Sequence, residues 1–457
     1  MSVKYLNNNR NIIFYAVLAI IFFLGLYLRL YAINHTYVDI PLRADAKDYY
    51  AYAYNITNHN VYSRSTHSIR KGAKKPEPDA IRSPGYPIFI SIFANDFPDI
   101  QRLLNITLLQ GLISLITLLL AYKIVIQILP RPLALISALL TAISPHLINS
   151  NIYILTESLF TFLLIFGIWL SVFFLKTPEK RRFALLVGVV IGLGALTRPS
   201  LQYFIIPLIL FFIFKHKELS FQQKKNILLF TMLGFSIIIA PWHIRNYIST
   251  GEFSNDTLKI NALHHGMYPD FMFQGRTKTY GFPYRYDPRS NEISKSVKSV
   301  SNEIIHRFKT EPGRHLKWYI IDKPVTFLSW NMIQGMGDSF IYPINYSPYF
   351  NKNLFIYTNQ VMKLLHYPLI LLAVIASILI WVPRLCRSLT ATTVTSTRLL
   401  SLVLFYFIII HIIVAPFPRY NIPLRPIIHI MAFIPLLMLY NLGRKKNDQP
   451  YTINKRS

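Results

Sequence analysis

The chain has 457 residues, 53% of them hydrophobic, and its mean hydropathy of +0.35 excludes an ordinary soluble protein. Its formal net charge is +28, but the basic residues are scattered and flank apolar segments. Anionic membrane lipids and lipid phosphates are therefore more economical partners than nucleic acid, which we do not expect to bind. The single cysteine, Cys386, excludes an intramolecular disulfide and a cysteine-based metal cluster.

Long apolar segments run through the sequence, and several approach or exceed the ~20 residues that a helix needs to cross a bilayer. About ten of them, with a range of about 9–12, predict an all-α polytopic membrane protein. The first segment has no small-residue cleavage site, so it is expected to remain as a span. The segments that begin at residues 133, 183 and 200 are short and carry proline or glycine, so we expect them to be tilted or broken. The ten segments are 11–33, 103–129, 133–149, 154–175, 183–197, 200–214, 227–246, 364–382, 399–415 and 422–441.

Lysine and arginine in the short loops predict the orientation, because these residues stay on the cytoplasmic side. With ten spans, the basic clusters of the short loops and of both ends fall on one side, so both termini are predicted to be cytoplasmic. The two long loops, 34–102 and 248–360, are then exoplasmic. All of the 20 acidic residues except Glu179, Glu218 and Asp448 fall at this exoplasmic side or its interface. Any carboxylate chemistry is therefore expected there.

This pattern divides the chain into three parts. Residues 1–247 form an N-terminal transmembrane module that includes the first exoplasmic loop, and residues 248–360 form the second loop. Residues 361–457 form the C-terminal transmembrane helices and a short basic cytoplasmic tail. Amphipathic helices are predicted within both loops, through about residue 56 and over 88–93 in the first, and around 292–309 and on to Trp330 in the second.

The first loop carries two acidic residues at helical spacing. Asp45, Asp48 and Tyr49 share one face if this stretch opens a helix. A rigid turn, Arg82-Ser83-Pro84-Gly85-Tyr86-Pro87, closes the loop, and the whole stretch is a candidate catalytic loop. The alternative is structural: Asp45 is an N-cap and Asp48 its partner in a capping box.

Three more charged side chains are predicted at the outer ends of spans. Glu157 opens the fourth span, where a carboxylate is costly unless it faces the protein interior, although a first-turn glutamate also suits the helix dipole. Arg198, in Leu-Thr-Arg-Pro, and Arg245, in Pro-Trp-His-Ile-Arg-Asn, lie near the same interface. Each arginine is alternatively a snorkelling anchor.

A proline-rich stretch separates the last two spans. Three prolines between Pro416 and Pro423 forbid a continuous helix, and they expose backbone that only a cavity or protein contacts can satisfy. Arg419 and Tyr420 are expected at the rim of that cavity. The pair His264-His265 lacks an HExxH pattern or a spaced acid, so no metal ligands are predicted. Whether the protein needs a divalent metal or another cofactor is left open.

Together these motifs resemble the membrane-embedded glycosyltransferases of the GT-C superfamily. The likeness is to family 39, the branch with protein O-mannosyltransferases and bacterial lipid A aminoarabinose transferases. It covers the framework of the chain but not residues 250–360. The resemblance rests on Asp45 to Ala53, Arg82 to Pro87, Thr156-Glu157, Leu196 to Pro199, Pro241 to Asn246 and Arg419-Tyr420.

The resemblance implies a hexosyl- or pentosyltransferase of the plasma membrane, in bacteria the inner membrane. It implies transfer, with inversion, from a polyprenyl-phosphate-linked sugar to a lipid, glycan or protein hydroxyl on the exoplasmic or periplasmic side. On this interpretation Asp45 is the general base, with Asp48 as the nearest alternative. Arg198, Arg245 and Arg419 are candidates to bind the phosphate, and Glu157 to bind sugar hydroxyls. Arg82, Tyr86 and Tyr420 complete the predicted substrate-binding set.

Three other functions were weighed against this one. A transporter or flippase for lipid-linked sugars typically shows repeated halves, and no repeat is visible here. A polymerase or ligase for longer lipid-linked glycans is a second alternative. A non-catalytic scaffold leaves the pattern of acids and arginines without an explanation.

Overall fold

The protein is a helical membrane protein in which each of the ten predicted apolar segments contains helix. The computed structural model describes residues 2–70, 72–215, 218–333 and 335–447. Residues 448–457 of the predicted basic tail lie outside this part of the chain. These helices confirm the predicted all-α polytopic architecture.

The helices are numbered in chain order. In the first half they are α1 (Ser2–His35), α2 (Asp45–His59), α3 (Gly85–Ser91), α4 (Ile100–Val125), α5 (Arg131–Ala142), α6 (Pro145–Asn149), α7 (Glu157–Phe174), α8 (Arg181–Thr197), α9 (Ile205–Lys215) and α10 (Phe221–Thr250). In the second half they are α11 (Thr257–Gly266), α12 (Ser290–Ile293), α13 (Val297–Thr310), α14 (Pro312–Lys317), α15 (Lys323–Phe327), α16 (Pro348–Asn351), α17 (Asn353–Leu379), α18 (Pro383–Cys386), α19 (Ala391–Ile413), α20 (Arg425–Met431) and α21 (Ile434–Asn447). The two strands are β1 (Tyr37–Val38) and β2 (Ile344–Tyr346).

Within the described residues, seven helical runs are long and apolar enough to cross a membrane, by length and composition. They lie in α1, α4, α7, α10, α17, α19 and the run from Pro418 to Leu442. The segments expected to be tilted or broken are the shorter ones. The segment at 133 stops at Ala142 and restarts at Pro145, and the segment at 200 begins as a 3-10 helix, Pro199–Phe204. Proline removes a helical donor and fixes φ, which explains both interruptions.

Glycine brings α8 and α10 into backbone contact. A Cβ atom on Gly188 would lie 2.1 Å from the Thr231 carbonyl oxygen, and one on Gly234 would lie 2.1 Å from the Leu185 carbonyl oxygen. Small residues allow such close approach between membrane helices, where packing replaces the hydrophobic effect as the driving force. This contact fixes where the ends of α8 and α10 emerge.

The two long loops meet at one end of the helix bundle. Strand β1 of the first loop pairs antiparallel with β2 of the second, and the Asp39 amide donates to the Pro343 carbonyl at 3.2 Å. The predicted loop helices form as α2 and α3 in the first loop. In the second loop they form as α12 and α13, and then as a run from α14 through a π-helical turn to α15.

The second loop also packs on the end of α19. Lys323 is fully buried, and its ammonium donates to the carbonyls of Ile412 at 2.7 Å and Val414 at 3.0 Å. The indole of Trp318 donates to the Gly266 carbonyl at 2.9 Å. The two bonds of Lys323 satisfy carbonyls at the C-terminus of α19, where a cation is favourable. They hold the chain just before Arg419 in a fixed position.

The turn between α6 and α7 is buried. The Asn149 side chain donates to the Ser339 hydroxyl at 2.9 Å, so the second loop covers this turn. Gln110 of α4 donates to the carbonyls of Asn151 and Tyr153, both at 2.9 Å. The covered turn carries the start of α7 and therefore places Glu157.

Candidate active site

The candidate site begins at a strained turn before α2. The amide of Ala46 donates to the Arg43 carbonyl at 3.0 Å, and Ala44 adopts φ 46° and ψ −121° between them. A positive φ is unfavourable for alanine and is kept only where the surroundings require it. Helix α2 starts at Asp45 itself, and no side chain caps it. The capping alternative for Asp45 is therefore wrong, and its carboxylate is turned toward other partners.

Arg82 joins the two acids of α2. Its Nη2 lies 2.8 Å from Asp45 Oδ1 and 2.9 Å from Asp48 Oδ2, and its Nε lies 3.1 Å from the same Asp48 oxygen. The planar guanidinium can serve two carboxylates at once because its donors are spread in a fixed fork. The shared helical face of Asp45 and Asp48 is what presents both acids to one arginine.

Arg419 continues the series on the other side of Asp45. Its Nη1 donates to Asp45 Oδ2 at 3.0 Å, and its Nε donates to Glu157 Oε1 at 2.9 Å. Arg198 donates to the same Glu157 oxygen through Nη2, and to the Thr156 hydroxyl through Nε at 2.8 Å. We call this series the acid–arginine chain, and its members in order are Asp48, Arg82, Asp45, Arg419, Glu157 and Arg198.

The acid–arginine chain is largely withdrawn from water. Glu157 is fully buried, whereas the side chains of Asp45 and Asp48 keep 29% and 24% exposure. Burial by itself raises the pKa of Asp45, but the charges and hydrogen bonds of Arg419 and Arg82 outweigh it and lower the pKa to about 2. Asp45 is therefore ionised at neutral pH and is a weak base while it keeps both arginines.

Aromatic rings line the acid–arginine chain. The Arg82 guanidinium lies 5.2 Å from the ring of Tyr49, and the guanidinium groups of Arg198 and Arg419 lie 5.5 and 5.8 Å from the ring of Tyr420. Rings at these distances favour cations. The rings of Tyr420 and Tyr49 thus lie beside the arginines of the acid–arginine chain.

The turn that carries Arg82 is held from two directions. The Tyr62 hydroxyl donates to the Arg82 carbonyl at 2.9 Å. A Cβ atom on Gly85 would lie 2.8 Å from the Leu196 carbonyl oxygen and 2.7 Å from the Thr197 hydroxyl. The glycine therefore lets the turn lie directly on the end of α8, next to Arg198.

Besides Tyr420, two predicted site residues lie outside the acid–arginine chain. Arg245 donates to the carbonyls of Asp79 at 2.7 Å and Tyr62 at 3.1 Å, so it clamps the backbone of the first loop. The Tyr86 hydroxyl is buried and donates to Gln110 at 2.6 Å. In this arrangement both residues hold neighbouring segments of the protein in place, and neither contacts a member of the acid–arginine chain through these hydrogen bonds. Their motifs in the sequence give no signal that separates such support from ligand binding.

The histidine pair of the second loop is engaged in local contacts. The His264 ring bonds the Tyr268 hydroxyl at 3.1 Å, and the His265 ring bonds the Gly281 carbonyl at 2.7 Å. In the part of the chain that the structure describes, no three His, Cys, Asp or Glu side chains group as a metal site would require.

Sequence reasoning did not single out Tyr62 or Thr156 as part of the site. Thr156 was visible only as the residue before Glu157, yet it accepts a hydrogen bond from Arg198. Tyr62 lies in a polar loop without a motif. A tyrosine in such a loop gives no sequence signal for the Arg82 carbonyl that it bonds, 20 residues later.

Comparison with known proteins gives a family model that matches part of the chain. Residues 80–244 match the family model of the Dolichyl-phosphate-mannose-protein mannosyltransferases. That stretch includes Arg82, Glu157 and Arg198 and leaves out Asp45 and Arg419. No curated protein sequence matches the chain.

Among solved structures, the chain is similar to the archaeal oligosaccharyltransferase AglB from Archaeoglobus fulgidus in complex with an inhibitory peptide and a dolichol-phosphate. The TM-score is 0.51 and the identity 15%, covering 98% of this chain and 53% of that one. The A. fulgidus oligosaccharyltransferase tethered with an acceptor peptide containing the NVT sequon gives 0.50 and 15%, with coverage of 97% and 52%. This chain thus spans about half the length of these structures.

A third structure is ArnT from Cupriavidus metallidurans bound to undecaprenyl phosphate. The identity is 12%, the coverage is 96% of this chain and 78% of that one, and the TM-score of 0.40 is too low to support an argument. The likeness to AglB and the matched family model agree with the resemblance read from the sequence. The chain is a multi-pass membrane protein with the fold of the GT-C superfamily of membrane glycosyltransferases.

Proposed function

We propose that this protein transfers a sugar from a polyprenyl-phosphate-linked donor to an acceptor hydroxyl on the exoplasmic side of the membrane, with inversion. The observation that carries the proposal is the position of Asp45 between Arg82 and Arg419 in the acid–arginine chain. This arrangement puts a carboxylate base beside cations that suit a phosphate. The matched mannosyltransferase family and the dolichol-phosphate in the AglB structure support a lipid-linked donor.

The arginines suit the phosphate of the donor and of the departing carrier. A sugar linked to a polyprenyl phosphate carries one negative charge on its phosphodiester, and the phosphate gains charge as the sugar leaves. Arg82, Arg419 and Arg198 supply planar donors that are always charged and already held in place. Cations placed before the reaction stabilise the charge that develops on the leaving group.

Donor binding also changes Asp45. A phosphate that takes hydrogen bonds from Arg82 and Arg419 competes with Asp45 for the same donors. As Asp45 loses them, its pKa rises from about 2 and the carboxylate becomes a stronger base. Base strength is thereby coupled to the presence of the donor.

The reaction is a single displacement. The acceptor oxygen forms a bond to the anomeric carbon while the bond from that carbon to the phosphate oxygen breaks. Asp45 takes the proton of the acceptor hydroxyl, and the electron pair of the broken bond leaves with the polyprenyl phosphate. Attack from the face opposite the phosphate inverts the anomeric centre. Asp48, which bonds only Arg82 in the acid–arginine chain, orients that arginine.

The test is a transfer assay in proteoliposomes with a panel of polyprenyl-phosphate-linked hexoses and pentoses and with lipid, glycan and peptide acceptors, with and without a chelator. We expect one donor class to give a product in which the anomeric configuration is inverted. Movement of a donor across the bilayer without any transfer would instead support a flippase and refute the proposal.

A further inference from the structure

Among the described residues, the buried polar atoms without a hydrogen-bond partner near the acid–arginine chain include two oxygens. One is Oε2 of Glu157, whose other oxygen receives both Arg419 and Arg198. The other is the hydroxyl of Tyr342, a residue of the second loop that is 7% exposed. Buried polar groups are nearly always paired, so these two oxygens are candidates to bind a ligand.

Tyr342 is held rigidly by its surroundings. Its ring packs edge-on against Tyr153, with the ring centroids 5.6 Å apart, and the Tyr153 hydroxyl donates to the Tyr342 carbonyl at 2.9 Å. The Arg43 guanidinium lies 5.8 Å from the centre of the Tyr342 ring. These contacts fix the ring and leave the hydroxyl free for another group.

The Tyr342 ring contacts residues that come just before members of the acid–arginine chain in the sequence: Arg43 precedes Asp45, and Tyr153 precedes Glu157. Burial raises the pKa of Tyr342, Arg419 opposes the rise, and Asp45 and Glu157 add to it. The hydroxyl therefore keeps its proton at neutral pH and is able to donate it. The contacts of its ring with Arg43 and Tyr153 place this second-loop residue beside the proposed reaction centre.

We propose that Tyr342 and Glu157 Oε2 together bind one ring hydroxyl of the transferred sugar, and that Tyr342 is a specificity residue. This inference rests on the proposed transfer of a lipid-linked sugar. A sugar hydroxyl fits both atoms, because it donates to the carboxylate oxygen and accepts from the tyrosine hydroxyl. A phosphate oxygen fits only the tyrosine, since the ionised carboxylate repels it.

The pair accounts for selection among donors. A donor that lacks the matching hydroxyl leaves both buried groups unpaired, and sites of this kind reject such analogues strongly. Tyr342 lies outside the stretch 80–244 that matches the family model. On this proposal, the second loop contributes to the choice of sugar, whereas the matched stretch supplies Arg82 and Arg198.

The experiment compares the wild type with Y342F and Y349F, first on the panel of donors and then on monodeoxy derivatives of the donor that is transferred. Y349F is the matched control, because the Tyr349 hydroxyl is also buried without a partner in the same loop but packs against Phe355. We expect Y342F to lower kcat/KM about 10-fold for the full donor and to match the wild type for one deoxy donor. Y349F should transfer like the wild type.

Binding of polyprenyl phosphate without a sugar separates sugar recognition from phosphate recognition. We expect Y342F to bind this probe as tightly as the wild type, with an unchanged melting temperature. An equal loss for every deoxy donor and for the bare polyprenyl phosphate would overturn it, as would unchanged kinetics on all donors. The monodeoxy series on the wild type tests the same hydroxyl without any substitution. A wild type that transfers no donor would instead refute the proposed function, and the inference with it.

Discussion

Asp45, the proposed general base, is strongly stabilised as an anion, which by itself makes it a weak base. Its hydrogen bonds to Arg82 and Arg419 lower its pKa to about 2. An efficient base has a pKa near the working pH. If the donor phosphate accepts the hydrogen bonds of Arg82 and Arg419 during the reaction, the pKa of Asp45 rises and Asp45 becomes a stronger base. The pH dependence of the reaction tests this.

The pH profile of transfer should differ between free and donor-bound enzyme. The depressed pKa means that free Asp45 loses its charge only as the pH falls toward about 2, so kcat/KM should show no acid limb from Asp45 above about pH 4. The single-turnover rate of bound donor should instead fall at a higher pH, because bound phosphate weakens the arginine bonds. In Asp48→Asn the acid limbs of kcat/KM and of the single-turnover rate should still lie at different pH values. If the two limbs coincide in the wild type, the donor phosphate does not take the arginine hydrogen bonds from Asp45.

Arg419 serves two acids with different nitrogens, and lysine cannot copy that geometry. Arg419→Lys keeps the charge but can point at only one of Asp45 and Glu157. We expect apparent donor affinity to fall about 10- to 100-fold without loss of folding. Titration of transfer against donor concentration in proteoliposomes measures this.

The matched control for Arg419 is Arg307, which also bridges two acids, with 2.9 Å to Glu303 and 3.2 Å to Asp287. It lies in the second loop, where Arg307→Lys should change stability rather than donor affinity. An unchanged donor affinity in Arg419→Lys would make Arg419 a structural anchor.

At the scale of helices and loops, the sequence motifs predicted the positions of the charged side chains but not their hydrogen-bond partners. Asp45, Glu157 and Arg419 lie at element ends, as expected, because helix ends are where polar groups are tolerated beside a membrane. Their pairing is not readable from the sequence, since Asp45 and Arg419 are 374 residues apart. Arg245 shows the same limit, because its motif fits a phosphate ligand and a backbone clamp equally well.

The Arg82 turn and the end of α8 should depend on a glycine. Gly85→Ala places a methyl group 2.8 Å from the Leu196 carbonyl oxygen, so the turn must move away from α8. We expect a loss of stability of about 1–3 kcal/mol and a loss of transfer. Melting temperature and transfer rate are measured together.

Gly313→Ala is the comparison, because a Cβ atom there meets nothing within 4 Å. It should leave both quantities unchanged. A fully active and stable Gly85→Ala variant would show that the turn does not need this close contact.

For the whole molecule, the long apolar segments were enough to predict the membrane architecture. They could not predict the covering of the α6–α7 turn by the second loop, because Asn149 and Ser339 meet only through the tertiary fold. Residues 250–360 carry no recognised motif, and for this reason the role proposed for Tyr342 gives no signal in the sequence. The orientation of the molecule in the membrane stays a prediction.

Cysteine labelling tests that orientation. In a variant with Cys386 replaced, single cysteines at Ser65 and Ser290 should react with an impermeant reagent from outside intact cells. A cysteine at Glu179, in the predicted cytoplasmic turn between α7 and α8, should react only after permeabilisation. Protection of either loop position in intact cells would reverse the topology.

The central claim is that Asp45 takes the proton of the acceptor, and Asp45→Asn tests it most directly. The amide keeps the size and much of the hydrogen bonding of the side chain but removes the charge that accepts a proton. In the proteoliposome assay with the transferred donor, Asp45→Asn should keep its fold and lose transfer by about 100- to 10,000-fold. Asp48→Asn, one turn along the same helix face, should lose less. Near-normal turnover in Asp45→Asn together with an inactive Asp48→Asn would assign the base to Asp48, and full activity in both would contradict carboxylate catalysis at this loop.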